Sequence, residues 1–313
     1  MPSWLVERGI GETRSVLVEG GEILEARVLL EGTVPAGTVL QAVLKQSGRP
    51  ALAVAGKAEF LLPGGAPGVT EGAGLCIEVT REAIPGAEPW KRPLARVAEG
   101  PARPVAAIGG ELLAFPGAHD RLEQAGWSDL LDEARSGIVR FAGGELRVSP
   151  TPAMTLIDVD GHLPPPELAL AGAVAAALTI RRHGIGGSIG VDLPTLASKA
   201  QRQAVAAAID THLPQPFERT AMNGFGFIQI VRPRRHASVF ELAQERAAFE
   251  ARALLRRAAF EAGARRLAAH PAVIAVIEAR HNWIEALARQ VGGAVTLRSD
   301  ASIPIHGGYA ESL

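Results

Sequence analysis

A layered α/β fold with a small all-β insertion is what this sequence predicts, and three observations predict it. Between residues 36 and 97, short apolar segments are broken every few positions by Gly and Pro, which is the pattern of a meandering sheet or barrel. From residue 112 onward, strand-like segments alternate with segments of helical periodicity, the pattern of helices laid on a sheet. Two of those later apolar strands end in aspartate, at Asp158 and Asp192, which places acids at the edge of a sheet where ligands bind.

Each element follows from local pattern. Ser15–Val18 and Ile23–Val28, joined by Gly20-Gly21, read as a β-hairpin. Thr38–Leu44, Ala51–Ala55, Glu59–Leu62, Gly74–Thr80 and Leu94–Val97 are short strands of the number and length of an OB-type barrel. Ala98–Pro104 is a junction. Next come a strand at Leu112–Phe115, a helix from Asp120 to Ala134, and a hairpin of Ile138–Phe141 with Glu145–Val148. Thr155–Val159, Ser188–Val191 and Phe227–Val231 read as strands, with helices at Pro166–Arg182 and Lys199–Thr211 between them. A long helix is expected over Val239–Ala269, with Gly263 as its one weak point. A short strand at Val273–Ile277, a helix at Trp283–Gln290 and a strand at Ala294–Arg298 close the series.

Bulk properties exclude several classes. With 313 residues and 47% hydrophobic composition the chain has material for more than one core. Its net charge of −1 means that nucleic acid could be held only by a local basic face. Cys76 is the single cysteine, which excludes a disulfide framework and a Cys-rich zinc site and fits a reducing cytoplasm. The opening MPSWLVERGIGETR has no apolar core of a signal peptide. The most apolar stretch, Leu168–Ile180, is too short to span a bilayer, so no membrane segment is expected.

Chemistry concentrates in a few places. Alternation in TLIDVDG puts Asp158 and Asp160 on one face, and Asp192 ends GGSIGVDLP. Converging carboxylates repel, and a hard cation such as Mg²⁺ relieves that repulsion. Strand-end aspartates also serve as plain turn formers. Arg219 to Gly226, followed by Arg232, Arg234 and Arg235, is a basic segment with a Gly-rich turn and a Phe that could stack a base; the competing reading is a solvated loop. Phe60 is either a stacking residue on the barrel or part of its core, and Lys91, Arg92 and Arg96 lie nearby. Arg252, Arg256, Arg257, Arg265 and Arg266 read as a solvated helix face. His281 and His306 have no spaced partner that would mark a metal site.

In this linear order the segments resemble the bacterial ribonuclease E/G family. GETRSVLVEGGEILEARV is similar to that family's opening hairpin. The stretch from Gly37 to Val97, with EFLLP and IEVTREA, is similar to its inserted barrel. MTLIDVDG and HGIGGSIGVDLP are similar to its two catalytic strands, and ERTAMNGFGFIQIVRPRR to the segment that follows. The resemblance implies an RNase H-like subdomain (1–36 and 98–137), the inserted OB-type barrel (37–97), a DNase I-like catalytic subdomain (138–240), and a linker helix with a small C-terminal domain (241–313). It implies a metal-dependent endoribonuclease cutting single-stranded RNA in the cytoplasm. Asp158 and Asp192 would hold Mg²⁺ or Mn²⁺, and Phe60, Lys91, Arg219, Asn223, Arg234 and Arg235 would contact RNA. Three departures stand out. Asp160 replaces the usual Asn and adds a third acid to the metal set. The zinc-binding CPxCxG link is missing, so no zinc is expected and any homo-oligomer would not be zinc-bridged. The segment before Pro104 is too short for the family's 5′-end sensor. A catalytically degenerate RNA-binding relative is the alternative.

Overall fold

β1 (Ser3–Arg8), β2 (Glu12–Glu19) and β3 (Glu22–Leu30) form an antiparallel meander, and β2 turns into β3 over Gly20-Gly21 as the alternation predicts. The computed structural model describes residues 1–85, 92–106 and 108–313. β4 (Val39–Gln46), β5 (Ala51–Ala55), β6 (Ala58–Leu62), β7 (Gly74–Arg81) and β8 (Leu94–Val97) close into a barrel in the order β4-β5-β6-β8-β7. β7 pairs back onto β4, and β6 runs parallel to β8. The inward positions are Leu44, Ala51, Ala53, Phe60, Leu62, Ile77 and Val79. Ala53 is the register partner of Phe60, and its small side chain leaves the barrel centre to the ring.

β9 (Glu111–Leu113) then pairs parallel to β1. The single helix expected from Asp120 to Ala134 is two: α1 (Arg121–Gln124), capped by the Asp120 carboxylate accepting the Glu123 N–H at 3.0 Å, and α2 (Trp127–Ser136). β10 (Ile138–Phe141), β11 (Gly144–Pro150), β12 (Thr155–Gly161), α3 (Pro165–Arg182), β13 (Gly187–Asp192), α4 (Lys199–His212), β14 (Glu218–Arg219) and β15 (Phe227–Arg232) build a six-stranded sheet in the order β10-β11-β12-β13-β15-β14. Only β12 and β13 pair in parallel within it, and α3 is their crossover.

The C-terminal stretch departs from the sequence reading. The expected long helix is α5 (Val239–Gln244) and α6 (Arg246–Ala259), and Arg265–Ala269 is a strand, β16, after a turn at Gly263. Val273–Ile277 is not a strand but the middle of α7 (Pro271–Glu278), started by Pro271 at its first turn and by the His270 ring accepting the Ala272 N–H at 3.2 Å. α8 (His281–Val291), β17 (Val295–Ser299) and β18 (Tyr309–Ser312) follow, with β16 central in the order β17-β16-β18.

Two compact units result, and they cut across the four segments inferred from sequence. One comprises Met1–Glu31, Ile108–Ser128 and Leu242–Leu313. Leu242–Leu313 thus groups with the opening meander in one unit. Ile10 packs in one apolar cluster with Leu254, Leu255, Leu267, Ile277, Trp283 and Leu287. The other comprises Gly32–Ala107 and Asp129–Glu241, which places barrel and six-stranded sheet in one unit. There the Glu82 N–H donates to the Arg235 carbonyl at 2.8 Å.

The first unit contains a buried charge network that corrects the reading of α6 as a solvated face. Arg14, Glu7 and Arg256 are 0%, 2% and 3% exposed, where an unpaired charge would cost several kcal/mol. Arg14 donates to Glu7 and to Glu12, each at 2.7 Å. Arg256 donates to Glu7 at 3.0 and 3.1 Å and to Asp120 at 2.6 and 2.9 Å, and Arg252 donates to Glu12 at 2.9 Å. Three cations thus meet three carboxylates: Glu12 of the ETR motif ties strand to helix through Arg252, and Arg14 of the same motif holds Glu7 and Glu12 within the sheet. Among the described residues, no helix is long and apolar enough to cross a membrane.

Candidate functional site

Alternation along β12 and β13 decides where the acids lie. Thr155, Ile157 and Val159 are buried on the face covered by α3, whereas Leu156, Asp158 and Asp160 are exposed. On β13, Ile189 and Val191 are buried and Asp192 is exposed. In the parallel ladder Asp158 and Asp192 are direct register partners, and strands so paired lie roughly 4.8 Å apart. Two carboxylates therefore stand side by side on the uncovered face of the sheet. The floor beside them is apolar: the Phe227 ring lies over Gly190, where a Cβ would come within 2.5 Å of it and within 3.0 Å of Leu156.

Electrostatics agree with that crowding. Asp158 holds its proton more tightly than an ordinary carboxyl, first because it is partly desolvated and then because the Asp160 and Asp192 charges oppose its ionisation. The Val159 backbone N–H and Arg147 partly offset this. Arg147 is the residue that sequence reading missed. It lies on β11 directly opposite Asp158, is exposed on the same face, and approaches Asp160 at 3.5 Å and Glu145 at 2.6 Å. Its spacing two residues after Glu145 in GGELRV was the available signal, legible only once β11 is known to pair with β12.

Two carboxylates with a third nearby suit a hard divalent cation, which takes oxygen ligands and keeps waters for substrate to displace. Among the described residues, no group of three or more His, Cys, Asp or Glu side chains is arranged to enclose a metal ion. Asp158 and Asp192 are the pair that could share such an ion, with Asp160 two residues along the same face. Asp160 also lines a cleft of about 420 Å³ with Arg140, Glu145 and His162.

The other candidates separate. Phe60 is 1% exposed inside the barrel and has no face to offer a base, which corrects its reading as a stacking residue. Lys91 lies outside the described residues. Arg219 is paired with Asp210 through both nitrogens of its fork, and Arg234 with Glu241, so both are committed within the protein rather than open to phosphate. Three cations of the barrel are engaged as well: Lys45 and Arg92 meet Glu59 at 2.7 and 2.9 Å, and Arg96 meets Glu78 at 2.7 Å. Asn223 turns its carboxamide oxygen inward, accepting the N–H groups of Phe225 at 2.9 Å and Phe227 at 3.0 Å, so it shapes the loop. Arg235 is exposed and pairs with no acid among the described residues.

Compared with known protein families and with curated proteins, this sequence matches none.

Proposed function

We propose that the chain is a metal-dependent endoribonuclease acting on single-stranded RNA in cytoplasmic RNA processing. The observation that carries this reading is the register pairing of Asp158 with Asp192 on an uncovered sheet face. The resemblance to ribonuclease E/G supports it independently, because the two catalytic strands of that pattern are the two strands that pair in parallel here. On this reading the barrel is of the OB type, as its order β4-β5-β6-β8-β7 and its parallel β6–β8 pairing suggest. The six-stranded sheet is the DNase I-like layer, and the sheet of β1, β2, β3 and β9 the RNase H-like one.

Asp158 and Asp192 would hold Mg²⁺ or Mn²⁺, with no zinc involved. The bound cation would orient a water toward a backbone phosphate and offset the charge that develops there. On the open sheet face the exposed Arg147, opposite Asp158, would add positive charge beside that phosphate, and Arg235, past Arg232 at the other end of the β13–β15 ladder, would contact RNA away from it. The products would carry a 5′-phosphate and a 3′-hydroxyl, and any homo-oligomer would form without a zinc bridge.

A second reading, a non-catalytic RNA-binding protein, is favoured by one observation: Arg147 approaches Asp160 at 3.5 Å, so a cation of the protein itself already neutralises part of the acid cluster. One experiment separates the two. A 5′-labelled AU-rich single-stranded RNA is incubated with the protein in Mg²⁺ or EDTA, beside the Asp158→Asn, Asp192→Asn double variant. Internal cleavage that needs metal and drops roughly 100-fold or more in the variant supports the enzyme. Equal binding by both proteins without cleavage supports the second reading.

A further inference from the structure

Phe225 is 85% exposed, and the other phenylalanine side chains of the chain are buried or half-buried. An apolar ring in water is ordinary on a loose loop, but this loop is held in one conformation. The Asn223 carboxamide oxygen accepts the Phe225 and Phe227 N–H groups, the Asn223 N–H donates to the Phe227 carbonyl at 3.1 Å, and the Gly226 N–H to the Asn223 carbonyl at 3.3 Å. The Thr195 hydroxyl donates to the Phe225 carbonyl at 3.2 Å and the Leu193 N–H to the Gly226 carbonyl at 3.2 Å, which ties the loop to the segment leaving Asp192. Gly226 has φ +97°, and a Cβ there would lie 2.0 Å from the Leu193 carbonyl oxygen, so only glycine closes this turn.

Position gives the exposed ring its meaning. Phe227 is the register partner of Asp192, and Phe225 lies two residues beyond it at the same strand end. Its Cα is therefore within roughly 10 Å of that of Asp192, from strand spacing and chain reach. A pre-ordered aromatic face next to an acid pair suits a ligand that has a π-surface beside a phosphate. Resting on the nuclease reading, we infer that Phe225 is the stacking platform for an unpaired nucleobase flanking the phosphate that a cation on Asp158 and Asp192 would hold. Stacking requires the base to leave any duplex, so the same residue selects single strands at the point of cleavage. The aromatic contact then belongs to the catalytic sheet, and the barrel residue Phe60 makes none.

The test uses the full chain and a single-stranded ten-nucleotide RNA carrying 2-aminopurine at successive positions, bound in Ca²⁺ so that binding is read without turnover. Wild-type protein should quench 2-aminopurine at one position adjacent to the mapped cleavage site and should bind a duplex of the same sequence poorly. Phe225→Ala should weaken single-strand affinity by about 5- to 150-fold and abolish that quenching, and Phe225→Trp should restore both. Because the side chain is exposed, neither change threatens the fold. Wild-type cleavage with unchanged affinity and quenching in Phe225→Ala overturns this inference alone. Absence of both RNA binding and cleavage in the wild type overturns the nuclease reading, and this inference with it.

Discussion

Arg147 stands directly opposite Asp158 across the antiparallel β11–β12 ladder. A fixed positive charge that close to a cation site opposes cation binding, and the same charge attracts phosphate. Replacing it with Leu should tighten Mn²⁺ binding by about 2- to 5-fold at low salt and weaken RNA binding, with both effects shrinking as salt rises. Isothermal titration with Mn²⁺ at two salt concentrations checks this. Weaker Mn²⁺ binding in the variant would mean that Arg147 orders the carboxylates instead of opposing the metal.

Asp158 gives a pH prediction with a definite sign. Its folded-state pKa lies above the ordinary value of 3.8, so in the window between the two the folded chain binds more protons than the unfolded chain. Metal-free stability contributed by this group therefore falls as pH rises through that window, and the penalty is complete above it. Asp158→Asn should melt higher than wild type at neutral pH in EDTA, and the two should converge toward pH 3.8. Mg²⁺ should raise the melting temperature of the wild type and leave the variant where it was. Thermal melts with and without metal decide, and a variant that melts lower at neutral pH contradicts the assigned repulsion.

Phe60 should behave as a core residue. Phe60→Ala removes a ring that fills the barrel centre and should cost about 3–5 kcal/mol in urea denaturation. Phe60→Leu should fold with a smaller loss and bind single-stranded RNA as wild type does. A selective loss of RNA affinity in the Leu variant would return this residue to the binding surface.

Arg256 is held charged despite its burial, which opposes the charge, because Asp120 and Glu7 more than offset that cost. Arg256→Ala leaves Asp120 without its arginine and Glu7 with Arg14 alone, and should destabilise the chain by about 3–5 kcal/mol. Because the network lies in the unit that lacks the acid pair, any cleavage activity should survive below the melting temperature. Urea denaturation with an activity assay at low temperature measures both.

How much was legible in the sequence depended on the range of the deciding interaction. The strands carrying Asp158 and Asp192 were visible because alternation and strand-end acids are local. Their pairing was not, since it rests on α3 returning the chain beside β12. Val273–Ile277 passed for a strand because five apolar residues satisfy either period, although Pro271 directly before it was a helix-start signal. Arg252 and Arg256 looked solvated because Glu7, Glu12 and Asp120 lie more than a hundred residues away, beyond any helical spacing rule. Phe60 was readable as core or surface, and only closure of the barrel decided between them.

The unit that buries Glu7 against Arg256 is assembled from three separated stretches of chain. During synthesis, β1, β2 and β3 emerge early, but the helix that neutralises Glu7 and Glu12 leaves the ribosome more than two hundred residues later. The contiguous stretch from Gly32 to Glu241 holds no part of that network except Asp120, so barrel and six-stranded sheet can mature while the opening meander is still incomplete. Order of folding would then run against order of translation. The nascent N-terminal strands must remain available, with Glu7 and Glu12 paired to Arg14 alone, until α6 and the elements after it arrive to close around them.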